Sequence, residues 1–147
     1  MSIYQKILVP VDGSKNSFKA LTHAIELAAC CQAELGILCV MKLFEQLSVY
    51  TQLSTSYIPT QVYDGIEELG QSILEQATKM IPPSITTAHT YLEIGMPIEV
   101  IPRFAKDNHY NLIVIGSRGM GVIKGFVMGS VSTHVVINAQ CPVLVIK

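Results

Sequence analysis

The sequence predicts an α/β domain in which a five-stranded parallel sheet carries helices on both faces. Two observations lead there. Short apolar runs without polar alternation recur at KILVPV (6–11), LGILCVM (35–41), LIVI (112–115) and PVLVIK (142–147), as expected of strands covered on both sides by helices. Between them lie longer stretches whose apolar residues return at helical spacing, so that strands and helices alternate along the chain.

Each element follows from local chemistry. The first run, Lys6 to Val11, is broken by Asp12-Gly13-Ser14, after which Phe18, Leu21, Ile25 and Ala28 mark a helix that Ser14 can cap. Leu35 to Met41 is the second strand. Residues 42 to 60 have weak periodicity, several Ser and Thr, and Pro59; they read as a long excursion in which Tyr50 and Tyr57 could cover a ligand or meet a partner. Val62, Ile66, Leu69, Ile73, Ala77 and Met80 form the next apolar stripe, ended by Pro82-Pro83.

Thr86 to Ile94 is less apolar than the first two strands and is expected nearer a sheet edge. Pro97 suits the first turn of the following helix, whose buried face would be Ile98, Ile101, Phe104 and Ala105. Pro102 conflicts with that start: it should kink the helix, or the helix begins later. Leu112 to Ile115 is the fourth strand, a glycine-rich stretch GSRGMGVIKGFVMGS follows, a short helix runs from about Ser130 to Asn138, and Pro142 to Lys147 is the last strand. No repeat, low-complexity tract or linker divides the chain, so residues 1–147 read as one domain.

Bulk composition excludes more than it assigns. A chain of 147 residues, half apolar, 14% charged and near net charge -1 can bury about 70% of its unfolded surface without staples. It offers no broad field for nucleic acid or anionic membranes. Cys30, Cys31, Cys39 and Cys141 lack metal or redox spacing and are expected to be reduced and mostly buried. His23, His89, His109 and His134 are scattered without metal spacing. The N-terminal apolar run is too short for a signal peptide, and about 18 consecutive apolar residues occur nowhere. The expected location is cytoplasmic.

In open parallel sheets ligands bind beyond the carboxyl ends of the strands, where strand order reverses. Three segments leave at that end: Val11-Asp12-Gly13-Ser14, Val40-Met41, and Gly116 onward. The last holds most of the glycine. Glycines there would permit positive φ and close approach, and the helix opening at Gly129-Ser130 would offer unpaired N–H groups to an anion such as phosphate. Neither standard phosphate fingerprint is present. Lys124 is preceded by Ile123 and followed by Gly125, which rules out the P-loop pattern; Gly119-Met120-Gly121 meets Lys124 where the dinucleotide pattern needs a third glycine.

What is present is G-x2-G-x9-G-[ST], as Gly116, Gly119, Gly129 and Ser130, together with KILVPVDGS near the N-terminus and CPVLVIK at the C-terminus. In this the chain resembles the universal stress protein family over essentially its whole length. The resemblance implies a Rossmann-like, adenine nucleotide alpha hydrolase-like sheet in the order 3-2-1-4-5, and the nucleotide-binding branch of the family, with ATP, ADP or AMP as ligand. It implies that Asp12 meets the ribose, that Val40 and the Pro10-Val11 backbone frame the adenine, and that Gly116, Arg118, Gly119, Gly129, Ser130, Val131 and Ser132 surround the phosphates. A divalent cation such as Mg2+ would be compatible with those phosphates. It also implies a homodimer formed through the strand at 142–147, whose apolar edge is expected to lack a neighbour.

Three functions compete. One is a regulatory, stress-responsive nucleotide binder; the second is a slow ATPase or autophosphorylating enzyme with Ser130 or Ser132 as acceptor; the third is an interaction module without nucleotide. Hydrolysis needs a positioned metal, a base and a charge-stabilising cation, and only Asp12 and Arg118 suggest such parts. Binding is therefore preferred to turnover. Asp12 and Ser130 also have plainer readings, as a turn residue and a helix cap, and Arg118 as a solvated loop arginine.

Overall fold

A computed structural model describes residues 2–42, 60–119 and 128–147. The excursion at 42–60, apart from its two ends, and the loop residues 120–127, including Lys124, lie outside the described residues. Along the chain run β1 (Lys6–Pro10), α1 (Lys15–Cys31), β2 (Glu34–Met41), α2 (Thr60–Thr78), β3 (Ala88–Ile94), α3 (Pro97–Asp107), β4 (Leu112–Gly116), α4 (Ser130–Asn138) and β5 (Val143–Ile146). All pairings are parallel, and the sheet order is β3-β2-β1-β4-β5.

Alternation along the strands sorts side chains between two cores. Ile7, Val9 and Val11 from β1 and its end, Leu35, Ile37 and Cys39 from β2, and Leu112 and Val114 from β4 face α1 and α2, meeting Ala20, Leu21, Ala24, Ile73, Leu74 and Ala77. Leu8, Leu38, Ile113 and Ile115 face the other way and meet Ile101, Ala105 and Val135 of α3 and α4. The three central strands are thus covered on both faces, which is why their sequences show no polar alternation. β3 and β5 are the edges, and the more polar run at 88–94 is an edge as expected.

Several details differ from expectation. In α2 the buried stripe is Ile66, Ile73, Leu74 and Ala77, whereas Leu69 is 51% exposed and Met80 lies beyond the helix, exposed; the helix is rotated so that Gly70 rather than Leu69 faces Leu92 of β3. α3 does begin at Pro97, in its first turn, and continues through Pro102, with Pro97, Val100, Ile101 and Ala105 buried and Phe104 half-buried. Of the four cysteines, all free, only Cys39 is buried; Cys30 is exposed because it lies on the outer face of α1. The four histidines are all exposed. Among the described residues no helix is long and apolar enough to cross a membrane.

The end of the sheet at which the strands begin is tied by polar and aromatic contacts. Lys6 Nζ donates to the Asn108 carbonyl at 3.0 Å, pairs with Glu34 at 3.5 Å and lies 4.8 Å above the Tyr110 ring. Tyr110 is buried, and burial, then its neighbour Tyr91, holds its hydroxyl un-ionised far above the usual range. Its phenol fills the space over Gly36: a Cβ there would overlap the Tyr110 hydroxyl and ring. Gly36→Ala should therefore lower unfolding stability by about 1–3 kcal/mol through overpacking, read as a lower urea midpoint with an unchanged slope. An unchanged midpoint would show that Tyr110 can yield without cost.

Candidate functional site

β1 is flanked by β2 on one side and β4 on the other, so the chain leaves the sheet in opposite directions from neighbouring strand ends. This is the topological switch point, and the crevice beyond the ends of β1 and β4 is where ligands sit in such sheets. The residues there are Pro10 to Ser14, Val40, Gly116 to Gly119 and, on the return, Gly129 to Ser132.

The turn after β1 is closed by its own side chains. Asp12 Oδ1 accepts from the Ser14 N–H at 2.9 Å, and the Ser17 hydroxyl accepts from the Asp12 N–H at 3.3 Å while donating to the Ser14 carbonyl at 2.9 Å. Ser14 caps α1, its hydroxyl accepting from the Ser17 N–H at 3.1 Å. Between them Gly13 has φ +87°, a region that L side chains rarely adopt, so the tight reversal requires glycine. Asp12 is thus the turn residue its sequence suggested. Its other oxygen, Oδ2, lies against Gly119. Its charge also reaches below the sheet: the Cys39 thiol is pushed up to about 11, first by burial and then by Asp12.

The segment leaving β4 is held by Ser117. This residue is 1% exposed. Its N–H donates to the Ile146 carbonyl at 2.8 Å, and its carbonyl accepts from the Gly129 N–H at 2.6 Å and from the Ser132 hydroxyl at 2.8 Å. The Ser117 hydroxyl accepts from Asn16 Nδ2 at 3.2 Å. The outgoing and returning arms of the glycine-rich segment therefore meet at one carbonyl, and the first turn of α1 is tied to the same point.

The three loop glycines with described positions differ in what they require. A Cβ on Gly116 would come within 2.9 Å of the Asn16 carbonyl oxygen, and one on Gly119 would strike the Asp12 carboxylate. Gly129 is the N-cap of α4 with φ -79°, and a Cβ there would meet only ordinary contacts, the nearest at 3.6 Å. None of these three has positive φ. Close approach of neighbouring segments is what requires Gly116 and Gly119.

At the start of α4 the Thr133 N–H is the first to find an acceptor inside the helix, the Gly129 carbonyl at 3.1 Å. The N–H groups of Ser130, Val131 and Ser132 precede it and stand where the positive end of the helix dipole lies. Because Gly129 occupies the N-cap, Ser130 does not cap the helix as expected but sits one residue inside it, exposed. Ser132 is 2% exposed. Val131 and Val40 are half-buried against the α3–α4 core, Pro10 is buried and Arg118 is exposed. The Val11 N–H donates to the Leu38 carbonyl at 2.8 Å, which removes it from the groups that could face an adenine. His134 turns back on its own helix, with Nδ1 2.7 Å from the Ser130 carbonyl. Among the described residues no cluster of three His, Cys, Asp or Glu side chains could hold a metal ion.

Expectation and structure thus agree on which segments converge. Asn16, Ser17 and Ser117 went unrecognised, although Ser117 stands inside the glycine motif; the part of Ser17 lies in local bonds to Asp12 and Ser14, and that of Asn16 and Ser117 in the contact between α1 and the end of β4. The arrangement has glycines and a helix N-terminus, the parts of an anion cradle, and beside them a carboxylate able to accept hydroxyl protons.

Known proteins share this architecture. The model of the universal stress protein family matches residues 3–147. The universal stress protein YxiE of Bacillus subtilis is 37% identical over 151 aligned positions, covering 99% of this chain and all of that protein. Among solved structures, the hypothetical protein MJ0577 superposes with a TM-score of 0.84 at 27% identity, covering 99% of this chain and 96% of that one. A universal stress protein in complex with cAMP superposes at 0.74 with 25% identity, covering 99% of both chains. With a family match over nearly every residue and this sheet order, the chain belongs to the universal stress protein family.

Proposed function

We propose that this universal stress protein binds an adenine nucleotide, ATP, ADP or AMP, in the crevice beyond β1 and β4 and acts as a regulatory, stress-response protein. The observation that supports the reading is the closeness of the Asp12 carboxylate to Gly119, a group able to accept ribose hydroxyls beside a glycine loop able to approach phosphate. A carboxylate oxygen accepts ribose hydroxyl protons. The N–H groups opening α4 suit phosphate oxygens, with Gly116, Arg118, Gly119 and Gly129 around them. Val40 and the Pro10-Val11 segment would flank the base, and a divalent cation such as Mg2+ would be held through phosphate oxygens. The complex of a structural relative with cAMP supports the same ligand class.

Storage or sensing of the nucleotide fits these residues better than rapid turnover. Around the loop the described acid–base groups are Asp12, already bonded within its turn, and the exposed His134 and Arg118. If a phosphoryl group is transferred to the protein, exposed Ser130 is the acceptor rather than buried Ser132.

Protein purified without added nucleotide and then denatured should release adenine nucleotide on chromatography, or, if empty, should bind ATP by calorimetry. An empty preparation silent to millimolar ATP would reject the reading. Gly129→Ala tests the location, because its added methyl meets no close protein neighbour. It should leave the unfolding free energy within about 1 kcal/mol of wild type while weakening ATP about tenfold or more, the equivalent of one lost charge-assisted hydrogen bond. Unchanged affinity would move the site elsewhere.

The pairing edge of β5 suggests a homodimer through residues 142–147. Leu144 is 37% exposed there, and Ile137 and Val136 of the neighbouring α4 are exposed as well. An unpaired apolar edge favours pairing with a second copy. Light scattering should give twice the 16.1 kDa chain mass, and a charged residue at Leu144 should shift it to monomer; a 16.1 kDa species for wild type would overturn the dimer.

A further inference from the structure

We propose that the Ser132 hydroxyl is a positioning group of the nucleotide site and not a phosphate ligand: with Asn16 it fixes the first turn of α4 to the end of β4 through Ser117. This rests on the nucleotide-binding reading above and changes the role that the family resemblance implies for Ser132.

A serine hydroxyl has one proton to donate. In Ser132 it points at the Ser117 carbonyl at 2.8 Å and the Gly129 carbonyl at 3.0 Å, and the side chain is 2% exposed. With that proton spent inside the protein, the oxygen has only lone pairs left for any other neighbour, and these repel anionic phosphate oxygens. Redirecting the proton to a phosphate would give up the bond to the Ser117 carbonyl and leave that carbonyl with the Gly129 N–H alone.

The geometric consequence lies in the main chain. The Ser117 carbonyl receives Gly129 N–H and Ser132 hydroxyl together, so it sets both the position and the tilt of the turn whose N–H groups, at Ser130 and Val131, would meet the phosphates. Asn16 holds the same residue from the opposite side, through the Ser117 hydroxyl at 3.2 Å. Asn16 also belongs to the first turn of α1, directly after the turn that holds Asp12. The phosphate and ribose halves of the site are thereby kept at one distance from each other by Ser132–Ser117–Asn16, and nucleotide affinity depends on side chains that do not touch the nucleotide.

The test combines a ligand-free and a ligand-bound readout on the full chain. In nucleotide-free protein, Ser132→Ala should accelerate amide hydrogen exchange at Gly129, because the shared acceptor loses its second donor. The same variant should weaken ATP about two- to tenfold, the effect of one neutral hydrogen bond, and Ser132→Thr, which keeps the hydroxyl, should restore both. Asn16→Ala combined with Ser132→Ala should cost less than the product of the two single effects, since both act on Ser117. Weaker ATP binding with unchanged Gly129 exchange would make Ser132 a direct ligand and overturn the proposal, as would unchanged ATP affinity in Ser132→Ala. Wild-type protein that binds no ATP would overturn the nucleotide reading itself, while the exchange result, which needs no ligand, separately shows whether the clasp holds.

Discussion

Ser117 stands where four segments of the chain must meet within hydrogen-bond reach: the end of β5, the return of the glycine-rich segment, the first turn of α4 and the first turn of α1. Nothing smaller than this junction would bring a loop after β4 into register with a turn after β1. The strands deliver their ends to one edge of the sheet because all pairings are parallel, and the order β2-β1-β4 opens the crevice. The sheet supplies only the approximate place. The Ser117 carbonyl, accepting from the Gly129 N–H and the Ser132 hydroxyl, helps orient the α4 N-terminus, on which the proposed anion binding would depend.

The glycines gain separate physical meanings in this light. Gly13 provides a positive φ for the turn that caps α1, Gly116 lets that helix pack onto β4, and Gly119 lets the outgoing loop touch Asp12. Of Gly116, Gly119 and Gly129, the last is the one whose added Cβ would meet only ordinary contacts, and the space at its α-carbon is where a ligand could approach the helix start most closely.

Much of this was legible from the residues. Buried parallel strands announce themselves by apolar runs without alternation, and the α4 boundaries, Ser130 to Asn138, match the expectation from the Gly129-Ser130 helix opening. The polar character of 88–94 foretold an edge strand. Where the reading slipped, tertiary contact had overridden local pattern. Leu69 fits a helical stripe as well as its neighbours do, yet it is Gly70 that packs against Leu92, which turns Leu69 outward. Ser130 looked like a cap, but hydrogen bonding to Ser117 makes Gly129 the cap. The family resemblance places Ser132 among the phosphate contacts, and the bond of its hydroxyl to a carbonyl fifteen residues earlier could not be read from the sequence. Asn16 could not be recognised at all, since its partner lies 101 residues away.

A nucleotide bound as proposed would have its two halves coupled through α1 and β4 instead of through a single contiguous loop. Such coupling would suit retention of a ligand sensed by the surrounding surface, including the β5 edge, where the Ile146 carbonyl accepts from the Ser117 N–H. The most direct measurement is a crystal structure of the protein grown with ATP. It should show a ribose hydroxyl on the Asp12 carboxylate, phosphate oxygens on the N–H groups of Ser130 and Val131, and the Ser132 hydroxyl still on the Ser117 carbonyl. A nucleotide bound away from the β1–β4 crevice, or a Ser132 hydroxyl turned onto phosphate, would contradict the account.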